Sequence, residues 1–407
     1  MGKFINAFLF VLICSNSIIA QNYYYSLQET QETTTPIKEV RNVNELISEL
    51  KSDANLYLLP GTYTLQERIN LKDIYNLNIT GADNVVIQGK LENLIRFEED
   101  AENISFNNIV FKSTSTAKAT DYGGLIYFNN ANARNIHFEG CTFSCPNTDT
   151  NGLKFVSQGP YRSKKIVIIN CTFQDIGRMA IETVNHDYDD VFRMEDVTVK
   201  DCYFNNLGTK SKYGMAISLS GTGKNAEITD NIIIDAKDRA IENVAWNNVL
   251  IQNNELTTVK NAYNPISMNR RAGGSLYMKD VIVKGNSGTV TGNSPHLIEL
   301  YHLDGLEYSN NNFSADALHL NDVKNSSFRD NFHSSDGGIG LYVEYKSSSN
   351  TFYDNTLISV RNYATTVHFF EGATANTLEN NEIIKKGAGG TVYLDEDGGN
   401  INLDLTN

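Results

Sequence analysis

Three glutamates recur in one local setting: Glu182 in AIETV (180–184), Glu242 in AIENV (240–244) and Glu299 in LIELY (297–301). Apolar and polar residues alternate around each, the period-two pattern of a half-buried strand, so each carboxylate points away from a core. Two carboxyl groups about 6.5–9.5 Å apart are what inverting glycoside hydrolysis needs, one to protonate the leaving oxygen and one to activate water. Cations and bases accompany them: Lys154, Arg178, Arg239, Arg270, Arg271 and His319. β-Elimination next to a carboxyl group needs such a base, and a cation to neutralise that carboxyl. Tyr301, Tyr342 and Asn269 complete the set, the first two with aromatic faces able to stack on sugar rings. There is no Gly-rich phosphate loop, nucleophile elbow or HExxH motif, which removes nucleotide, serine-hydrolase and zincin chemistry.

Internal repetition says what positions these groups. The segments FEGCTF (138–143), IINCTF (168–173), VKDCYF (199–204), ITDNII (228–233) and IQNNEL (251–256) share a register. One column of it runs Ile109, Cys141, Cys171, Cys202, Asn231, Asn254, Asn286, Asn311, Asn331, Asn355, Asn381, at intervals of 20 to 32 residues. A second column holds the glutamate strands, with inward Ile95, Ile126, Leu153, Ile181, Ile217, Ile241, Ile266, Ile298, Leu318, Leu341, Val367 and Val392. No single coil of this period buries its own apolar face, but stacked neighbours cover it. The expectation is an all-β, single-stranded right-handed parallel β-helix, a solenoid of about 12 coils. Its outward row reads Arg96, Tyr127, Lys154, Glu182, Ser218, Glu242, Ser267, Glu299, His319, Tyr342, His368, Tyr393. In that register Glu182 and Glu242, and again Glu242 and Glu299, lie two coils apart, about 9.6 Å at Cα level.

Composition fits. The 407 residues include 51 Asn and 29 Gly but only 6 Pro, a balance that favours turns over helices. An inward Asn at a bend can bond the Asn one coil away, so the Asn column is a structural ladder. The stacked cysteines are expected to be buried free thiols, with an inter-coil disulfide as the alternative. Asn44 and the following ELISELK (45–51) predict a short capping helix, and LYLLPGTY (56–63) the first strand and turn. The net charge of −14 excludes nucleic acid as a default partner and makes a polyanion hard to host without a locally basic or metal-loaded groove. Residues 1–20 read as a signal peptide for export, with Lys3 before the apolar run Phe4–Ile13. Lipid anchoring at Cys14 is less favoured, because Ile13 stands where a small residue is wanted. No segment is long enough to be a transmembrane span. Residues 21–37 are expected to be a flexible leader and 38–407 one β-helix domain, with the protein a monomer.

The arrangement VNELISEL…LYLLPGTYTL followed by repeated I-x-F-x-N-[CN]-x-F units resembles the secreted right-handed parallel β-helix (pectin-lyase-like) superfamily, over roughly residues 38 to 400. That superfamily includes pectate lyases, phage tailspike depolymerases and polysaccharide lyase family six, the alginate lyases and chondroitinase B. The resemblance implies a substrate groove along one exposed sheet face. In family six an Asn and glutamates hold calcium while a Lys and an Arg act on the sugar. Carried over, Glu182, Glu242 and Asn243 are the candidate Ca2+ ligands, and Arg270 or Arg271 stands for the family's Arg. The family's Lys has no counterpart, Val244, Ala245 and Trp246 occupying that neighbourhood. Lys154, His319 and Glu242 are the remaining catalytic candidates, and Arg178, Arg239, Asn269, Tyr301 and Tyr342 the substrate-binding ones. Three functions follow as expectations: cleavage of an acidic polysaccharide by β-elimination, hydrolysis by paired glutamates, or noncatalytic glycan binding or scaffolding. The acidic loop NHDYDDVFRMED (185–196) is a candidate wall of the groove.

Overall fold

The computed structural model describes residues 35–403, apart from 121, 188, 259–263, 270–275, 291–295 and 315. The expected signal peptide, Cys14 and most of the leader therefore lie outside the described residues, as do Arg270 and Arg271. Among the described residues the strands form two sheets, of 24 and 13 strands, and successive coils pair in parallel. The protein is a parallel β-helix.

Long strands turn a corner at residues with left-handed backbone. Arg239–Gln252 does so at Ala245 (φ 67°), and His296–Asp304 at His302 (φ 60°). Asn and Asp dominate such positions because their short polar side chains tolerate this conformation. On the outer bends they also bond from coil to coil, as where the amides of Asn103 and Asn135 donate to Asn76 and Asn103. Inside, the side-chain amides of Asn231, Asn254, Asn286, Asn311, Asn331 and Asn355 each donate to the next Asn along the column at 2.8–3.1 Å. Buried amides thus satisfy one another, as a dry interior requires. A second, shorter run from Asn350 through Asn376 ends at Asn400, whose backbone and side-chain N–H groups both donate to Asp395.

Aromatic rings stack in the same register. Phe97, Phe128 and Phe155 lie 4.6 and 4.7 Å apart, and Phe143, Phe173 and Phe204 at 4.8 and 5.0 Å. Cys141, Cys145, Cys171 and Cys202 are buried free thiols. Burial pushes Cys145 up to about 12, so it stays an uncharged thiol.

Three expectations need correction. The helix spans Val43–Glu49 and its N-cap is Asn42, not Asn44. Asn42 accepts from the Glu45 N–H while Glu45 accepts from the Arg41 N–H, a reciprocal pair that fixes the start two residues earlier. The first strand, Ile37–Val40, begins inside the expected leader and pairs with Ala54–Leu58. Near the C-terminus the register is one residue away from the expected one: Tyr393, not Val392, pairs with Val367 and packs on the core. An aromatic ring covers more of Phe369 than valine would, leaving Val392 exposed.

One core histidine makes stability depend on pH. His333 is buried, its Nε2 within 3.0 Å of the Tyr308 hydroxyl and its Nδ1 without a partner. Burial lowers it from 6.5 to about 3. Between those values the unfolded chain binds the proton and the folded one does not, so stability falls as the medium is acidified, by about 1.4 kcal/mol per pH unit. Urea unfolding across this range measures the slope. The double variant His333→Phe, Tyr308→Phe removes both polar groups and is expected to lose that component; an unchanged slope refutes the assignment.

Candidate active site on the exposed sheet face

The strand pairing builds one outward row. Arg96, Tyr127, Lys154, Glu182, Ser218, Glu242 and Ser267 occupy successive rungs, followed by Glu299, His319, Tyr342 and His368. Glu182, Glu242 and Glu299 are therefore two rungs apart, with Ser218 and Ser267 between them. Their surroundings make them chemically different.

Glu182 is 6% exposed and collects cations. Its Oε2 lies 3.0 Å from Lys154 Nζ and 3.0 Å from Arg178 Nη1, and accepts from the Asn151 amide at 2.7 Å. Burial pushes the carboxyl up, but Lys154, Arg178 and Asn151 together outweigh it and hold Glu182 below the usual carboxylate range. Lys154 also donates to the Tyr122 carbonyl at 2.9 Å, and the Arg178 guanidinium sits over the Tyr122 and Tyr213 rings. Neither cation stands free to receive a substrate. Tyr127, Val156 and Val184 form a small buried apolar cluster beside them.

Glu242 has the opposite setting. The Ser218 hydroxyl donates to its Oε2 at 2.7 Å, and Arg239 Nη1 lies 3.4 Å from its Oε1 and 3.0 Å from Asp238. Burial pushes Glu242 up; Ser218 and Arg239 oppose this, but Asp238 and Glu182 add repulsion, and the carboxyl stays above its usual range. Burial raises Asp238 as well, with Arg239 opposing and the Glu299 charge adding to it. The local sequence explains the contrast. GRMAIETV (177–184) and KDRAIENV (237–244) align, and four residues before the glutamate the first has Arg178 where the second has Asp238. Glu299 accepts from the buried Ser267 hydroxyl at 2.8 Å, which in turn accepts from Asn269 at 3.0 Å.

Beyond Glu299 the face becomes aromatic. Tyr301 OH lies 2.9 Å from His319 Nδ1, and His319 Nε2 lies 2.9 Å from Glu344, which also accepts from Asn321. A carboxylate only accepts, so Nε2 carries the imidazole proton and Nδ1 accepts from Tyr301. Burial, then Glu299 and Glu344, push the Tyr301 phenol up, keeping it protonated at rest. Tyr301 meets His319 edge-on at 5.0 Å, Tyr342 is 5.1 Å from His319, and Phe370 stacks on Tyr342 at 5.9 Å. This is a strip on which sugar rings can lie.

The expected calcium ligands do not come together. Asn243 points into the core, where its Oδ1 accepts from the Trp246 N–H and its Nδ2 donates to the Trp246 carbonyl. The charge of Glu182 is spent on two cations, and among the described residues no three His, Cys, Asp or Glu side chains form a metal set. Ser218 and Ser267, expected on the outward row, join the site as hydrogen-bond donors to Glu242 and Glu299, and Asp238 and Glu344, with no role assigned from the sequence, join it as charged neighbours of Arg239 and His319. Asp238 was detectable by aligning the two glutamate segments; the serines carry no signal outside the stacked register.

No protein-family model matches the chain, and no curated protein matches it. Among solved structures it is similar to the A-module of the Azotobacter vinelandii mannuronan C-5 epimerase AlgE6, with a TM-score of 0.56 and 12% identity, covering 89% of this chain and 99% of that one. It is also similar to a tailspike protein mutant of E. coli bacteriophage HK620 in complex with pentasaccharide, with a TM-score of 0.56 and 12% identity, over 85% of this chain and 73% of that one. Both are parallel β-helix proteins, and at such identity the likeness establishes the fold alone.

Proposed function

We propose that this protein is an exported enzyme that hydrolyses a polysaccharide laid along the face between Glu182 and His368. The observation that carries the reading is the raised Glu242 carboxyl, with Glu299 two rungs away across Ser267. Two rungs separate the Cα atoms by about 9.6 Å, and a modest lean of the side chains brings the carboxyl groups into the inverting range. Glu242 gives its proton to the glycosidic oxygen as the C1–O bond breaks. Glu299 takes a proton from the water whose oxygen attacks C1 from the opposite side. The aromatic strip beyond Glu299 supplies stacking, and the tailspike relative solved with a pentasaccharide supports a glycan as the ligand. Calcium does not fit the donor set and has no step in this scheme.

The relay Tyr301–His319–Glu344 favours a second reading, β-elimination from a uronate-containing chain. Glu344 orients His319, which takes the Tyr301 proton; the phenolate removes the proton next to the uronate carboxyl, the freed electron pair forms the C4–C5 double bond as the C4–O bond breaks, and the leaving oxygen takes its proton from the His319 imidazolium. This route needs a cation for that carboxyl, and Lys154, Arg178 and Arg239 are each tied to carboxylates. Hydrolysis has no such requirement and stands first.

Incubation with a panel of neutral and acidic polysaccharides tests both. New reducing ends without the ultraviolet absorbance of an unsaturated uronate are expected, and that absorbance would transfer the assignment to the relay. Neither product across the panel removes the enzyme readings and leaves a binding protein. Tyr301→Phe separates them further: hydrolysis is expected to keep kcat within about tenfold, whereas β-elimination loses about 10²–10⁴.

A further inference from the structure

The chain carries a net charge of −14, yet the loop GTKSKYG (208–214), just before the Ser218 strand, holds two lysines and no acid. Its backbone is fixed at both ends. The Gly208 and Thr209 N–H groups donate to the Ile176 carbonyl and that of Lys210 to Gly177, while the Gly214 carbonyl accepts from the Asp238 N–H at 3.2 Å. Gly208 and Gly214 pinch the base together: a Cβ on Gly208 would lie 2.7 Å from Gly214 Cα, and one on Gly214 2.5 Å from the Leu207 carbonyl oxygen. Only glycine permits that approach. Inside the loop the buried Ser211 hydroxyl accepts from the Tyr213 N–H at 3.2 Å, and the Lys212 and Tyr213 side chains are exposed. A loop held in this way has little ordering left to do on binding.

Gly214 stands four residues before Ser218, as Arg178 stands before Glu182 and Asp238 before Glu242. The loop therefore edges the face on the rung between the two glutamates. Tyr213, 41% exposed, has its ring centroid 5.7 Å from the Arg178 guanidinium, and Lys212 Nζ lies 4.9 Å from the same centroid. Burial raises Asp238, and the Lys212 charge joins Arg239 in opposing this, so the ammonium is within electrostatic reach of the Glu242 coil. Lys154, Arg178 and Arg239 are tied to carboxylates, but among the described residues Lys212 is in no ion pair.

We propose that Lys212 and Tyr213 form a subsite for a sugar bearing an anionic substituent, a carboxylate or a sulfate, on the glycan that Glu242 and Glu299 cleave. The inference rests on the hydrolysis reading above. Tyr213 offers an aromatic surface to the sugar ring, and Lys212 a charge with no carboxylate to give up first. The subsite lies on the side of Glu242 away from Glu299, whereas Tyr301, His319 and Tyr342 lie on the other side, so the two ends of a bound glycan meet different chemistry. Three rungs, about 14 Å, separate the loop from the Tyr301 coil, too far for Lys212 to neutralise a carboxyl held at that relay.

Equilibrium binding of the full chain to uronate polymers, to their carboxyl-reduced neutral counterparts and to sulfated forms of the latter, at low ionic strength, tests it. The wild type is expected to prefer charged members, a preference lost in about 1 M salt, where the charges are screened. Which charged series shows the gain identifies carboxylate or sulfate. Lys212→Gln is expected to lose about fivefold in affinity for the charged members and to bind the neutral ones as before, the scale of one exposed ion pair. Tyr213→Ala is expected to weaken both series, and unchanged melting temperatures of the two variants show that the fold is kept. An unchanged preference in Lys212→Gln, unchanged binding in Tyr213→Ala, or a wild type indifferent to charge overturns the subsite but leaves the glycan reading standing. No binding by the wild type to any of the polymers overturns both.

Discussion

Replacing Glu182 with alanine is expected to lower the unfolding free energy by about 3–5 kcal/mol, because it leaves Lys154 and Arg178 buried without a counter-charge. Lys154 and Arg178 side chains are only 8% and 15% exposed, so water cannot take the place of the carboxylate. The double variant Glu182→Ala, Lys154→Met is expected to recover part of the loss, since it removes one stranded charge and fills the space with a similar volume. The wild type carries a matching pH signature. The folded carboxyl of Glu182 lies below its unfolded value of 4.5, so its contribution is fully present above that pH and lost as acid carries the medium through the folded value. Guanidinium denaturation of the three proteins at neutral and acidic pH measures both effects. A cost under about 1 kcal/mol for Glu182→Ala would mean that the network is solvated and not the buried lock described above.

Glu242→Gln is expected to reduce kcat on the cleaved glycan by about 10²–10⁴ with KM little changed, the usual contribution of a general acid. The same variant is expected to be more stable than the wild type near neutral pH. For a carboxyl raised in the folded state, the folded chain binds the proton more tightly than the unfolded chain. Stability from this group therefore falls as pH rises above 4.5 and the buried carboxyl must ionise beside Asp238. Glutamine cannot ionise and escapes that cost. Opposite changes in activity and stability mark a group strained for function rather than for folding. Loss of both together would instead assign Glu242 to the framework. Single-turnover kinetics and thermal melts on one preparation read the two quantities independently.

The stack itself was legible from Ile126, Leu153, Ile181, Ile217 and Ile241, because a side chain facing the axis must meet its equivalent one coil on, whatever the loop between them. For the same reason the outward row from Arg96 to His368 could be written down in order. At Tyr393, whose strand among the described residues pairs on one side only, with Thr365–Phe369, that constraint weakens, and there the expected register was one residue out. Helix capping failed similarly, since Asn42 and Asn44 are equivalent by residue type and only the Glu45 contact distinguishes them.

Sequence alone determined the β-helix, the Asn-lined interior and the presence of Glu182, Glu242, Glu299, Tyr301 and His319 on one face, because periodicity is a property of the chain. Tertiary structure decided what each group is able to do. Lys154 lies 28 residues from Glu182 in the chain and Glu344 lies 25 from His319, yet each pair meets across adjacent rungs. Loops of unequal length obscure these neighbours in a linear reading. Burial and the charges within a few ångströms set whether a carboxyl is a spent counter-ion or an acid. By that criterion Glu182 is held as a counter-ion below the usual carboxylate range, whereas Glu242, its twin in sequence, is held above it and is the acid of the proposed hydrolysis.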